Sequence, residues 1–221
     1  MNTSRTWAVA GLVAGIAGIV GIAASMSISA VYDEELGGDA QGIYERMQDF
    51  VPNIAVFHTA TLVGVVLLVV FGAGLRRRLQ GDLPVGSLLP DVAFGGLLLT
   101  SVAGLMGSSL DTEFGSALVQ TEQVKVVPEV FVFYGHWLGT IPWLWVGAGL
   151  TGVAVAVAAL RHRAVPRWIG WVGAVLGGLT LLFGISPLQY MAGMFGPLFV
   201  TIAAAGFLFG DRDEAVAPVG E

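Results

Sequence analysis

The chain is predicted to be an all-α, polytopic transmembrane helix bundle of six spans, and three observations predict it. Charged residues make up only 12% of the 221 positions and hydrophobic ones 55%, whereas an average soluble domain carries roughly 25% charge. Six apolar runs, several near or above the roughly 18–20 residues that cross a hydrocarbon layer, take up most of the chain. The arginines gather in the short polar breaks between runs instead of forming polar helix faces. A soluble helical protein would need such faces, and most of these runs are apolar all round. They leave no room for a separate soluble domain, so 1–210 is predicted to be one transmembrane domain and 211–221 a disordered cytoplasmic tail.

The first span is predicted over about 7–31. Gly11 and Gly15, then Gly21, Ser25 and Ser29, recur every four residues, a smooth stripe against which another backbone packs closely. A cleaved signal peptide cut before Ala30 is the rival reading; the apolar run exceeds the usual core of roughly 7–15 residues. Residues 32–52 form a polar loop with six acids and one arginine. Within it, Ile43, Tyr44, Met47 and Phe50 share one side of a short interfacial helix over 41–50. The second span, about 53–75, is stopped by Arg76, Arg77 and Arg78. The third, about 91–110, follows Pro90, and Asp91 suits the positive end of its helix dipole. Gly96, Thr100, Gly104 and Ser108 make a second small-residue stripe. After another polar loop, the β-branched stretch 124–132 reads either as extended chain or as the start of the next helix. The fourth span, about 133–160, ends at Arg161-His162-Arg163. The fifth, about 168–185, carries the close-packing pair Gly173 and Gly177. The sixth, about 188–210, follows a tight turn at Ser186-Pro187.

The basic residues set an expected orientation. Of ten lysines and arginines, eight fall on one side of a six-span arrangement, and only Arg46 and Lys125 fall on the other. By the positive-inside rule both termini are cytoplasmic and the two acidic loops face outward. The expected location is the plasma membrane of a prokaryote.

Ionisable groups within a span are expensive and are functional candidates by default. Here they gather at the expected outer end: His58, Asp111, Glu113, Tyr134 and His136. At about 1.5 Å per residue, His58 stands about 27 Å above Arg76, and Asp111 about 30 Å above Asp91. His136 stands about 37 Å above Arg161 if its helix is straight. Tilt, or a break at Pro142, would reduce that mismatch. One reading makes His58 and His136 axial ligands of a haem, or joins them with Asp111 and Glu113 around a transition metal. The plainer reading is a His58–Asp111 hydrogen bond tying the second span to the third, with His136 in the headgroup region beside Trp137. A proton-linked role is the third. Tyr134, Trp137, Trp143 and Trp145 suggest an aromatic pocket for a quinone or lipid; the alternative is an interfacial belt, for which Trp143 and Trp145 lie deep.

Several classes are excluded. The chain has no cysteine, so it has no disulfide, thiolate metal site or cysteine nucleophile. Nucleotide-loop and nucleophile-elbow motifs are absent, and its few basic residues serve as membrane stops, which leaves no nucleic-acid interface. The stretch RHRAVPRWIGWVGAVLGGLTLLFG at 161–184 resembles a pattern in small prokaryotic six-helix integral membrane proteins of unknown function, where a basic loop, Pro-Arg-Trp and a glycine-rich fifth helix follow one another. The resemblance implies a plasma-membrane protein and brings over no catalytic residue. The leading expectation is non-enzymatic: a structural, accessory or sensing component embedded in the lipid bilayer, working with a membrane-protein partner or a second copy of itself. The alternatives are a haem- or metal-dependent redox protein using His58 and His136, and a small-molecule carrier built on the proline-containing fourth and sixth spans.

Overall fold

In a hydrocarbon layer each backbone N–H and C=O must find its partner within the protein, so apolar runs of this length become helices. A computed structural model describes residues 5–120 and 127–210, and among these there is no strand. Six helices are long and apolar enough to cross a membrane: Thr6–Met26, Val51–Asp82, Leu89–Val119, Glu129–His162, Arg167–Gly184 and Gln189–Gly210. The chain is a multi-pass membrane protein. The expected tail at 211–221 and the first part of the β-branched stretch, 124–126, lie outside the described residues.

The first helix, α1 (Thr6–Met26), stops short of Val31. The Ser27 hydroxyl bonds back to the Ala24 carbonyl and accepts from Asn53 Nδ2 at 2.6 Å, and a tight turn at Ala30–Tyr32 follows. In the acidic loop, α2 (Ala40–Gln48) buries Ile43 and Met47. Helix α3 (Val51–Asp82) begins with Pro52 in its first turn and continues past the arginine run. Arg78 pairs with Asp82 one turn on, and Arg76 reaches Asp91 of the next helix at 2.6 Å, so the charged turn stays helical. Helix α4 (Leu89–Val119) likewise runs beyond Leu110. Its last turns are polar, but Ser108, Thr112 and Ser116 bond their hydroxyls to carbonyls one turn back, and Asp111 is buried.

The fourth span is discontinuous, as Pro142 allows. Helix α5 (Glu129–Thr140) gives way to a 3-10 turn at Ile141–Trp145, then α6 (Val146–His162) resumes. It ends at Arg163 in the left-handed conformation, φ 56°. The fifth span joins α7 (Arg167–Val172) to α8 (Gly178–Gly184) through a π turn at Gly173–Gly177. The sixth runs from a 3-10 turn at Gln189–Met191 through α9 (Ala192–Ala205) into a π turn at Gly206–Gly210; Pro197 sits inside α9 without interrupting it.

The spans close into a ring. Helix α1 lies between α3 and α9, α3 packs on α4, α4 on α6, and α6 on α9, with α7 and α8 covering α6 and α9. The small-residue stripes set these crossings. A Cβ on Gly96 would strike the backbone of Gly147, and one on Gly147 would strike Gly96. Thr151 clips the same crossing by donating to the Ala93 carbonyl at 2.8 Å. Gly152 and Gly177 meet backbone to backbone, each Cβ position lying 2.6 Å from the other's Cα. Charges collect at the two ends of the ring. One, the basic end, holds the Arg76–Asp91 pair and the bond from Arg5 to the Leu208 carbonyl. The other, the acidic end, holds α2, α5 and the exposed acids of residues 33–49.

Candidate functional site

The acidic end of the bundle contains a polar cluster built by three helices. From α3 comes His58, from α4 Asp111, and from α5 Tyr134. Asp111 is fully buried at its side chain, while His58 keeps 28% exposure. The Tyr134 hydroxyl donates to Asp111 Oδ1 at 3.1 Å. The other carboxylate oxygen, Oδ2, faces His58 Nδ1 at 3.8 Å, and neither atom has a hydrogen-bond partner. The expected His58–Asp111 tie between the second and third spans is therefore a close approach without a hydrogen bond, since 3.8 Å exceeds bonding distance. Aromatic packing holds the tyrosine in place: the Phe114 ring lies tilted 5.0 Å from its ring, Phe131 stands edge-on to Phe114, and Tyr44 packs tilted on Phe131.

The counting of helix turns placed His58 and Asp111 at one level, and the structure brings them together. It placed the fourth span's aromatic end well above them, yet Tyr134 reaches Asp111. That count took Arg161, Arg76 and Asp91 as level anchors on straight, untilted helices, which the Tyr134–Asp111 bond does not permit.

The remaining candidates lie elsewhere. His136 is two residues beyond Tyr134, about 200° around the helix, and its ring stands edge-on to Tyr32 at 5.6 Å. Glu113 is exposed on α4. The four-residue metal set His58, His136, Asp111 and Glu113 is thus not assembled: among the described residues no three histidine, aspartate or glutamate side chains converge. Nor do the four aromatic candidates form one pocket. Trp137 contacts Phe133 and Trp143, each at 6.4 Å between ring centres, and its buried Nε1 finds no acceptor. Trp145 is buried in the ring interior against Gly18 and Gly196. There, Gly18, Trp145, Thr61 and Thr100 help to enclose a cavity of only about 10 Å³, the size of one water. The discontinuity at Pro142 is filled in the same way, with Gly193 packed on the proline ring.

Beside the cluster, α3 and α4 part to leave a cleft of about 310 Å³. Its α3 wall is Val51, Ile54, Ala55, His58 and Thr59, and its α4 wall is Asp111, Thr112, Gly115, Ser116 and Val119. Thr59, Thr112 and Ser116 were not among the sequence candidates. The signal was present: each wall is a helical stripe, at i, i+3, i+4, i+7 and i+8 from Val51 and at i, i+1, i+4, i+5 and i+8 from Asp111. Ending the third span at Leu110 hid the second stripe. Comparison of the chain with protein-family models, curated proteins and solved structures found no match.

Proposed function

We propose that the protein is a non-enzymatic sensing component of a prokaryotic plasma membrane, with both termini cytoplasmic and its sensing element at the outward-facing acidic end. The observation that carries this reading is the geometry of Asp111. A carboxylate buried in a membrane-spanning helix, bonded on one side and facing an unbonded histidine on the other, is expensive unless something completes it. Whatever completes it changes how α3, α4 and α5 are held together, and the cleft gives it a way in. The bias toward eight basic residues on one side supports the orientation.

The alternatives draw less from the geometry. The redox reading needs His58 and His136 to act together, and His136 is engaged with Tyr32. The carrier reading needs a path past Pro142 and Gly196, and Trp145 packs on Gly196 there.

Because the chain lacks cysteine, labels can be placed at will. Spin labels on Val56→Cys and Val119→Cys, both exposed, report the spacing of α3 and α4 across the cleft. With Asp111→Asn, which removes the charge and keeps the shape, the distance distribution in lipid nanodiscs is expected to shift. An unchanged distribution in a folded variant would reject a sensing role for the cluster and leave a passive scaffold.

A further inference from the structure

We propose that the cleft between α3 and α4 binds the amino group of a lipophilic primary amine, held between Asp111 and His58; this rests on the sensing reading and names the class of ligand it would take. Two unsatisfied atoms define the head of the site. Asp111 Oδ2 is a pure acceptor when ionised, and neutral His58 accepts at Nδ1 when its proton is on Nε2. They lie 3.8 Å apart, each buried and without a partner. One nitrogen within bonding distance of both, about 2.8–2.9 Å, would see them at roughly 85°; both atoms are closed off here, so the nitrogen reaches them as α3 and α4 part. A primary ammonium has three N–H donors and can serve both at once. A quaternary ammonium has none, and a carboxylate ligand would meet Asp111 charge against charge.

Charge supports the same choice. Among the described residues Asp111 has no lysine or arginine beside it; its neighbours are the Tyr134 hydroxyl and the His58 ring. A buried carboxylate lacking a cation is the setting in which a charge-assisted hydrogen bond from a ligand gains most. The rest of the cleft suits an alkyl chain. Val51, Ile54, Ala55 and Val119 supply apolar wall, and the hydroxyls of Thr59, Thr112 and Ser116 supply a small polar share. Ala55 and Thr59 also line a second, apolar cleft of about 470 Å³ between α1 and α3.

The test is calorimetric titration of the detergent-purified full-length protein with octylamine, using octyltrimethylammonium and octanoate as controls, each corrected for the same detergent without protein. Saturable binding of octylamine alone is expected. Asp111→Asn should weaken it about tenfold or more. Should that variant fail to fold, Ser116→Trp fills the cleft from an exposed position and leaves the cluster intact; it should abolish binding. Octylamine binding no better than octyltrimethylammonium, or binding that survives Ser116→Trp, would overturn the proposal. If octylamine fails to bind while the α3–α4 label distance still responds to Asp111→Asn, the amine is wrong and the sensing role stands. If both fail, both are wrong.

Discussion

At the scale of single residues, the chain concentrates its energetic risk in one carboxylate. Asp111 is held by one hydrogen bond, from Tyr134, and its side chain is buried. Tyr134→Phe removes that donor and keeps the ring that packs on Phe114. Leaving a buried acceptor unmatched costs about 1–3 kcal/mol, and denaturant unfolding in detergent should show a loss of that order. The same change made in an Asp111→Leu background should cost much less, because the acceptor is then gone. Equal losses in the two backgrounds would mean that the tyrosine acts by packing alone. His58 and Asp111 were legible as candidates because ionisable residues near a span stand out against so apolar a chain. Tyr134 was legible as a candidate at the same end; that it, and not His136 or Glu113, bonds Asp111 was not, because its partner is 23 positions away and helix rotation decides which side chain meets it.

At the scale of helices, glycine decides which crossings exist, and neighbouring glycines do opposite things. Gly95 and Gly96 are adjacent on α4. A Cβ at Gly95 meets nothing within 4 Å, whereas one at Gly96 would collide with the Gly147 backbone and the Thr151 hydroxyl. Gly95→Ala should therefore be neutral or stabilise the helix by roughly 0.5–1 kcal/mol. Gly96→Ala forces α4 and α6 apart and should destabilise by about 1–3 kcal/mol. Parallel unfolding measurements on the two variants check the sign at each position; a loss at Gly95 as large as at Gly96 would show that helix propensity, not the crossing, governs both. The four-residue stripes were readable in the sequence. The partner each stripe meets was not, and one stripe serves two neighbours: Gly96 and Thr100 meet α6, while Gly104 meets Val65 of α3.

At the scale of the whole molecule, the two ends of the ring differ in charge, and this asymmetry sets an expected sidedness. Single cysteines at Glu35 and at Val85, both exposed, report the acidic and basic ends respectively. In intact cells a membrane-impermeant maleimide is expected to label Glu35→Cys, while Val85→Cys should react only after the membrane is opened; the reverse pattern would invert the proposed orientation. Six spans, their order and the acidic and basic character of the two ends follow from the sequence by itself, because burial in lipid demands long apolar runs and excludes charge from them whatever the neighbours are. Only the tertiary structure decided that α3 and α4 run on past their apolar limits, that the fourth span breaks into a 3-10 turn, and that His58, Asp111 and Tyr134 meet while His136 turns away. Those outcomes depend on helix rotation, tilt and backbone contact between segments far apart in the chain, and a helix's own composition leaves all three undetermined.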